Sequence, residues 1–215
     1  MKICSLKFIF LSFVALVLSP ILSKAQPFYT GDLVFVTEGT TDFSDAISKS
    51  TASGDSLSFI HVGIINVVSP DSILVIEASS ETGVREILWD DFISEAPLVS
   101  GKPGIVVKRL TVPFLPALTI ENAKRHIGEE YDWYFLPDNQ KMYCSELVYE
   151  SFVNEDNEKI FVTYPMNFRD EKGELPEFWV SLFKELGVEV PEGVEGTNPN
   201  QISSSPFLIE VLRLF

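Results

Sequence analysis

The sequence predicts an α+β fold, an antiparallel sheet packed against helices, and three observations lead there. The first half alternates short apolar runs rich in Val, Ile and Phe with Gly, Pro, Ser and Asp turns, the pattern of antiparallel strands. The second half changes to a helical period, with apolar residues three and four apart. Neither a repeat nor a linker-like stretch interrupts residues 26–215, which are expected to form one domain.

The elements follow in order. Residues 31–36 (GDLVFV) make a short strand behind a Gly-Asp turn. Residues 37–58 are polar and rich in Gly, Ser and Thr; Phe43, Ala46 and Ile47 fit a short helix there, or the stretch is a surface loop near the site. Residues 59–68 (FIHVGIINVV) and 72–78 (SILVIEA) flank a Ser-Pro-Asp turn and read as a hairpin. A short strand over 84–88, a helical turn over 89–95 and a strand over 104–110 (GIVVKRL), bounded by prolines, complete the β-rich half.

A helix is expected over 118–127, with Thr119 as N-cap and Gly128 as stop. An aromatic loop, Tyr131-Asp132-Trp133-Tyr134-Phe135, precedes a second helix that starts at Cys144 and places Leu147, Val148, Ser151 and Phe152 on one face. A third covers 176–186, with Pro176 in its first turn and Gly187 at its end. Residues 189–205 read as loop, and 206–214 fit either a final strand or a short helix.

Composition narrows the chemistry. The chain has 215 residues, 16 Lys+Arg against 31 Asp+Glu, two cysteines and two histidines. A formal charge of −15 excludes a nucleic-acid partner, which requires a basic surface to release counterions. Cys4, His61, His126 and Cys144 show no metal-ligand spacing, so neither a metal nor another cofactor is expected.

Residues 1–25 read as an export signal, with Lys2 and Lys7 before an apolar run over 8–18 and Ser23-Lys24-Ala25 as a small-x-small cleavage site. The apolar stretch over 8–22 falls short of the roughly 20 residues that span a bilayer, so no membrane span is expected after cleavage. The expected location is the periplasm or envelope of a bacterium. Removal takes three lysines and no acids, leaving 13 basic against 31 acidic residues, a balance of −18. It also leaves Cys144 as the one thiol.

That thiol is either an inert core residue or a nucleophile. At a helix start, free N–H groups and the dipole favour a thiolate and offer donors to an oxyanion. His61 is the better base. It lies in a polar break at the front of an apolar strand, and Gly63 leaves space on the same face. Its bland alternative is a strand-end histidine. His126 follows Lys124 and Arg125 in a last helical turn, the place of a surface cation.

A catalytic imidazole needs an orienting partner, and Glu77 stands alone among apolar residues of the strand paired with that of His61. Its alternative is a solvated edge carboxylate. The two share a face only if paired residue numbers sum to an even value, as in 67 with 73. Asp32 is expected to hold a turn, and Asp132 to fix its loop or to stand at a pocket rim. Tyr143 either offers its hydroxyl near the oxyanion or packs. Ser145, Tyr131 and Trp133 complete the candidate pocket neighbours.

Taken in order, Gly31-Asp32-Leu33-Val34-Phe35, His61-Val62-Gly63-Ile64-Ile65, Val75-Ile76-Glu77-Ala78, Tyr131-Asp132 and Tyr143-Cys144-Ser145-Glu146-Leu147-Val148-Tyr149 resemble the YiiX/YebB-like branch of the NlpC/P60 superfamily. These are circularly permuted papain-like cysteine hydrolases, with the histidine strand before the cysteine helix. The resemblance covers roughly residues 29–152. It implies Cys144 as nucleophile, His61 as base and Glu77 as third polar residue of a triad that needs no cofactor. Residues 154–205 match nothing in it.

The resemblance and export together suggest a cell-wall amide, in the stem peptides of peptidoglycan. Hydrolysis or transfer of a lipid acyl ester or amide is the second reading, and a non-catalytic binding module the third. An apolar groove leading to Cys144 would favour the second. A polar cleft with carboxylate-binding donors would favour the first; side chains of His61 and Glu77 turned away from Cys144, or a fully sealed thiol, the third.

Overall fold

Runs of β-branched residues build the frame of the molecule, and hydrogen-bonded pairing aligns them. The computed structural model describes residues 28–37, 39–51 and 57–215; the export signal and Cys4 lie outside the described residues. The chain order is β1 (Leu33–Thr37), α1 (Asp42–Thr51), β2 (Phe59–Ser69), β3 (Ser72–Ser79), β4 (Gly83–Leu88), α2 (Trp89–Glu95), β5 (Leu98–Val99), β6 (Lys102–Pro103) and β7 (Ile105–Leu110). It continues with α3 (Pro116–Arg125), α4 (Cys144–Ser151), β8 (Tyr164–Pro165), α5 (Glu177–Leu186), β9 (Glu195–Gly196), α6 (Pro199–Ser203) and β10 (Leu208–Arg213).

Six strands form one antiparallel sheet in the order β10-β7-β1-β2-β3-β4. The last apolar run is therefore a strand, on the edge beside β7. Alternation along the strands sends two sets of side chains to opposite faces. Leu33, Phe35, Val62, Ile64 and Ile76 join the larger core with Leu147, Val148, Phe152 and Phe183 of the helices. Val34, Val36, Ile65 and Val75 form a smaller core, closed by Phe28 and by Phe92 of α2.

Local expectations hold in part. The polar stretch after β1 carries a ten-residue helix, α1, whose Thr41–Ser44 hydrogen bonds close its first turn. Thr119 is not an N-cap: α3 starts at Pro116, and Thr119 is buried in its interior. Proline suits a first turn because its missing N–H would have no partner there. Pro176 caps α5 rather than opening it, and Gly187 ends that helix at φ 69°, in the left-handed region. Gly63 leaves no open space, since a Cβ there would stand 2.7 Å from Val75. It is a packing glycine between adjacent strands.

The stretch after α4 is less regular and carries α5, α6 and two short strands. One buried side chain ties it down. Asn200 accepts from the Phe59 N–H at 2.7 Å and donates to Thr51 at 2.7 Å and to the Phe59 carbonyl at 3.1 Å, locking α6 to β2 and α1.

Candidate active site

The register of the central hairpin settles which residues meet. Ile64 pairs with Ile76 and Val67 with Ile73, an even sum, so His61 and Glu77 share a face. The odd pairing Ser69 with Ser72 is confined to the turn by an irregularity after Val67. A second bulge leaves Ile60 without a partner opposite β1, next to His61. Bulges bend and twist a strand, and they re-aim the side chains beside them.

The His61 Nε2 lies 2.5 Å from Glu77 Oε2. An ionised carboxylate can only accept, so Nε2 carries the proton and Nδ1 is left for the thiol. Burial pulls the imidazole pKa down, but hydrogen bonding to Cys144 and Glu77 and their charges outweigh it and raise it to about 10. The ring packs over Phe92, with centroids 6.1 Å apart and planes inclined by 28°. Cys144 is the first residue of α4, where the opening N–H groups have no partner within the helix.

Glu77 is 3% exposed and far from a solvated edge carboxylate. Burial would raise its pKa, but hydrogen bonds and charges from His61 and Arg85 hold it below the ordinary value. Arg85 grips Oε1 through Nε at 2.8 Å and a terminal nitrogen at 2.7 Å. Glu95 of α2 holds that guanidinium in turn, at 2.5 Å. Sequence reasoning missed Arg85. The signal was there: a tight turn over 79–83 sets Arg85 directly across from Glu77.

Two neighbouring cavities flank the site, one at Cys144 and one at the His61–Glu77 pair. The thiol borders a slot of ≈ 60 Å³, mostly apolar, walled by Ile47, Phe135, Met166, Phe168 and Trp179. His61, Glu77 and Arg85 line a wider cleft of ≈ 620 Å³ with polar residues of the α1 and β4 approaches. Ile47, Ile60 and Tyr131 border both. Residues after 154, unassigned from sequence, thus supply one wall of the slot.

The other candidates divide. Tyr131 stands between the cavities, and its pKa is driven well above the ordinary value by burial and then by the neighbouring Cys144 charge. Tyr143 and Ser145 line the slot. The Tyr143 hydroxyl accepts from the Thr197 N–H at 3.1 Å, so it braces the slot wall. Burial first, then the charge of Glu146, raises the Tyr143 pKa. Asp132 is fully buried and accepts the N–H groups of Tyr134 and Leu136, a loop-fixing carboxylate and not a pocket rim. Trp133 packs on Phe43 and Tyr131.

Asp32 is not part of this site. It precedes the end of β1 remote from His61, which pairs with Val36. There it accepts the Tyr29 N–H and a two-point contact from Arg109. His126 bonds Glu129 at 3.0 Å at the end of α3.

A strand-borne His-Glu pair facing a helix-borne cysteine later in the chain is the permuted order of a papain-like site. The model of the permuted papain-like amidase enzymes, the YaeF/YiiX or C92 family, matches residues 28–212. The chain belongs to that family. It is accordingly a cysteine hydrolase of amidase type. Among solved structures, YiiX of Escherichia coli O157:H7, described as a metalloprotein, matches at 22% identity and a TM-score of 0.66. The match covers 86% of this chain and 96% of YiiX, and it supports the same fold. No curated protein matches the chain.

Proposed function

We propose that the protein cleaves an amide or ester whose acyl side is apolar, through a Cys144–His61–Glu77 triad. The observation that carries the substrate class is the apolar slot that opens at the thiol. An acyl group seated there leaves the scissile carbonyl at Cys144 and directs the leaving group into the wider cleft beside His61.

In this reading Cys144 gives its proton to His61, and the sulfur attacks the carbonyl carbon. The first N–H groups of α4 hold the oxyanion. The intermediate collapses as the C–N or C–O bond breaks, and His61 protonates the departing nitrogen or oxygen. Water then loses a proton to His61 and attacks the thioester, releasing the acid and restoring the thiol. Glu77 keeps Nε2 protonated throughout, which leaves Nδ1 for the transfers.

YiiX is described as a metalloprotein. Among the described residues of this chain no three His, Cys, Asp or Glu side chains cluster to hold a metal ion. Among those residues also, no helix is long and apolar enough to cross a membrane. Export to the bacterial envelope belongs to the proposal and rests on residues 1–25.

A second reading, cleavage of peptidoglycan stem peptides, is favoured by the size of the cleft, which has room for several residues on the leaving-group side. Purified protein is incubated with N-acyl amino acids, acyl esters and stem peptides, beside Cys144→Ala and His61→Ala. Acyl release lost in both variants is the expected result. Stem-peptide cleavage without acyl turnover would replace the first reading by the second, and turnover that survives Cys144→Ala would remove both.

A further inference from the structure

The imidazole partner is itself held, and the holding passes from strand to strand and on to a helix. Glu77 has two oxygens with separate tasks: Oε2 faces His61, and Oε1 takes both contacts from Arg85. Arg85 stands opposite Glu77 in the β3–β4 pairing, and its side chain lines the same cleft. The same terminal nitrogen that touches Glu77 donates its hydrogen bond to Glu95. The helix that carries Glu95 also supplies Phe92, the ring against His61. No loop separates β4 from α2: Leu88 ends the strand and Trp89 begins the helix.

We propose that Arg85, anchored by Glu95, is a positioning residue that fixes the rotation of the Glu77 carboxylate and thereby the orientation of His61. The inference rests on the triad reading above. A carboxylate whose Oε1 accepts from Nε and is touched by the adjoining nitrogen of one planar guanidinium cannot turn about its last bond without losing both contacts. Its second oxygen then keeps one direction, along which the imidazole is aligned. α2 braces the site twice, through Glu95 to the carboxylate and through Phe92 to the ring.

Arg85 also keeps Glu77 charged. The groups facing Glu77 are His61 from β2, Arg85 from β4 and, beyond the imidazole, Cys144 from α4; Glu95 of α2 and Glu81 of the β3–β4 turn line the same cleft. Replacing Arg85 by a neutral residue leaves a buried carboxylate with the imidazole as its remaining cationic partner in that set. It then takes up a proton at higher pH.

The test needs no substrate. In a Cys4→Ser background of the full chain, the rate of Cys144 alkylation by iodoacetamide is followed from pH 4 to 10 for the parent, Arg85→Gln, Arg85→Lys and His61→Ala. Expected for Arg85→Gln is an upward move of the acid limb by about one pH unit, with a larger loss at pH 6 than at pH 8. Arg85→Lys keeps the charge and loses the two-point grip, so its limb stays while its plateau falls about threefold. An equal loss at every pH in Arg85→Gln would mark a merely structural role and overturn the inference. A Lys variant with the parent's plateau would overturn it too, even where the Gln variant does not fold. Alkylation of the parent that is indifferent to His61→Ala would remove the triad reading and this inference with it.

Discussion

Two carboxylates beside the site are nearly equally buried, yet they end in opposite states of charge. Glu77, on the β3–β4 hairpin, is 3% exposed, and Glu146, in the first turn of α4, is 8% exposed. Burial pushes both toward the neutral acid. At the hairpin, His61 and Arg85 reverse that push and keep Glu77 ionised. At the helix the push is reinforced by the charge of Asp132, and the Tyr143 N–H, at 3.4 Å, offsets it weakly; Glu146 is raised to about 8 and is neutral at pH 7. Depth does not decide the charge of a buried acid. The cations placed around it do.

The largest expected effect is at the hairpin. Glu77→Gln keeps the shape and removes the charge that stabilises the imidazolium, so turnover at neutral pH falls on the order of a hundredfold or more. Steady-state rates and alkylation of Cys144 measure it, and a loss below threefold would mean that the Glu77 charge does not support the imidazolium.

The second effect is on stability and has a defined sign. A folded-state pKa of about 8 means the native state holds a proton that the unfolded chain releases above about 4.5. Stability therefore falls as pH rises through that window. His61 adds a fall of the same sign, but only above its unfolded value of about 6.5, and Glu77 acts below about 4.5. Between those limits Glu146 is isolated from both. Urea unfolding at pH 4.5 and 6.5 is expected to show a decrease of roughly 2 kcal/mol that Glu146→Gln abolishes. An unchanged slope in the variant would mean that Glu146 is ionised in the folded protein.

The smallest effect marks the solvent end of the same scale. Glu121 pairs with Arg125 one turn on, with both side chains more than 60% exposed. Glu121→Ala should change stability by less than about 0.5 kcal/mol in the same titrations.

Much of this arrangement was legible in the residues. A lone thiol before a helical apolar pattern, a histidine at a strand front and one acid in an apolar strand name three side chains that do converge. Parity reduced their alignment to a single question, which the Ile64–Ile76 pairing answers. What escaped depends on contacts between distant segments. Asn200 bonds across 141 residues to Phe59, and no local pattern encodes that. Trp179 and Phe183 read as a helix stripe, and their direct packing on Phe168 and Phe135 follows from the chain's path. Gly63 looked like vacancy because a sequence records a missing side chain but not the neighbour that fills its place.

The Asn200 contacts carry a consequence for how such a protein can change. His61, Glu77 and Cys144 all precede residue 152, whereas Met166, Phe168 and Trp179 of the slot wall follow it. Part of the slot wall and the three residues of the proposed triad are therefore written in separate stretches of the chain, joined through Asn200 and through Ser50, which donates to the Phe168 carbonyl and accepts from Trp179. On the proposed reading, a substitution at Met166 or Phe168 reshapes the acyl slot and leaves the His61–Glu77 contact in place.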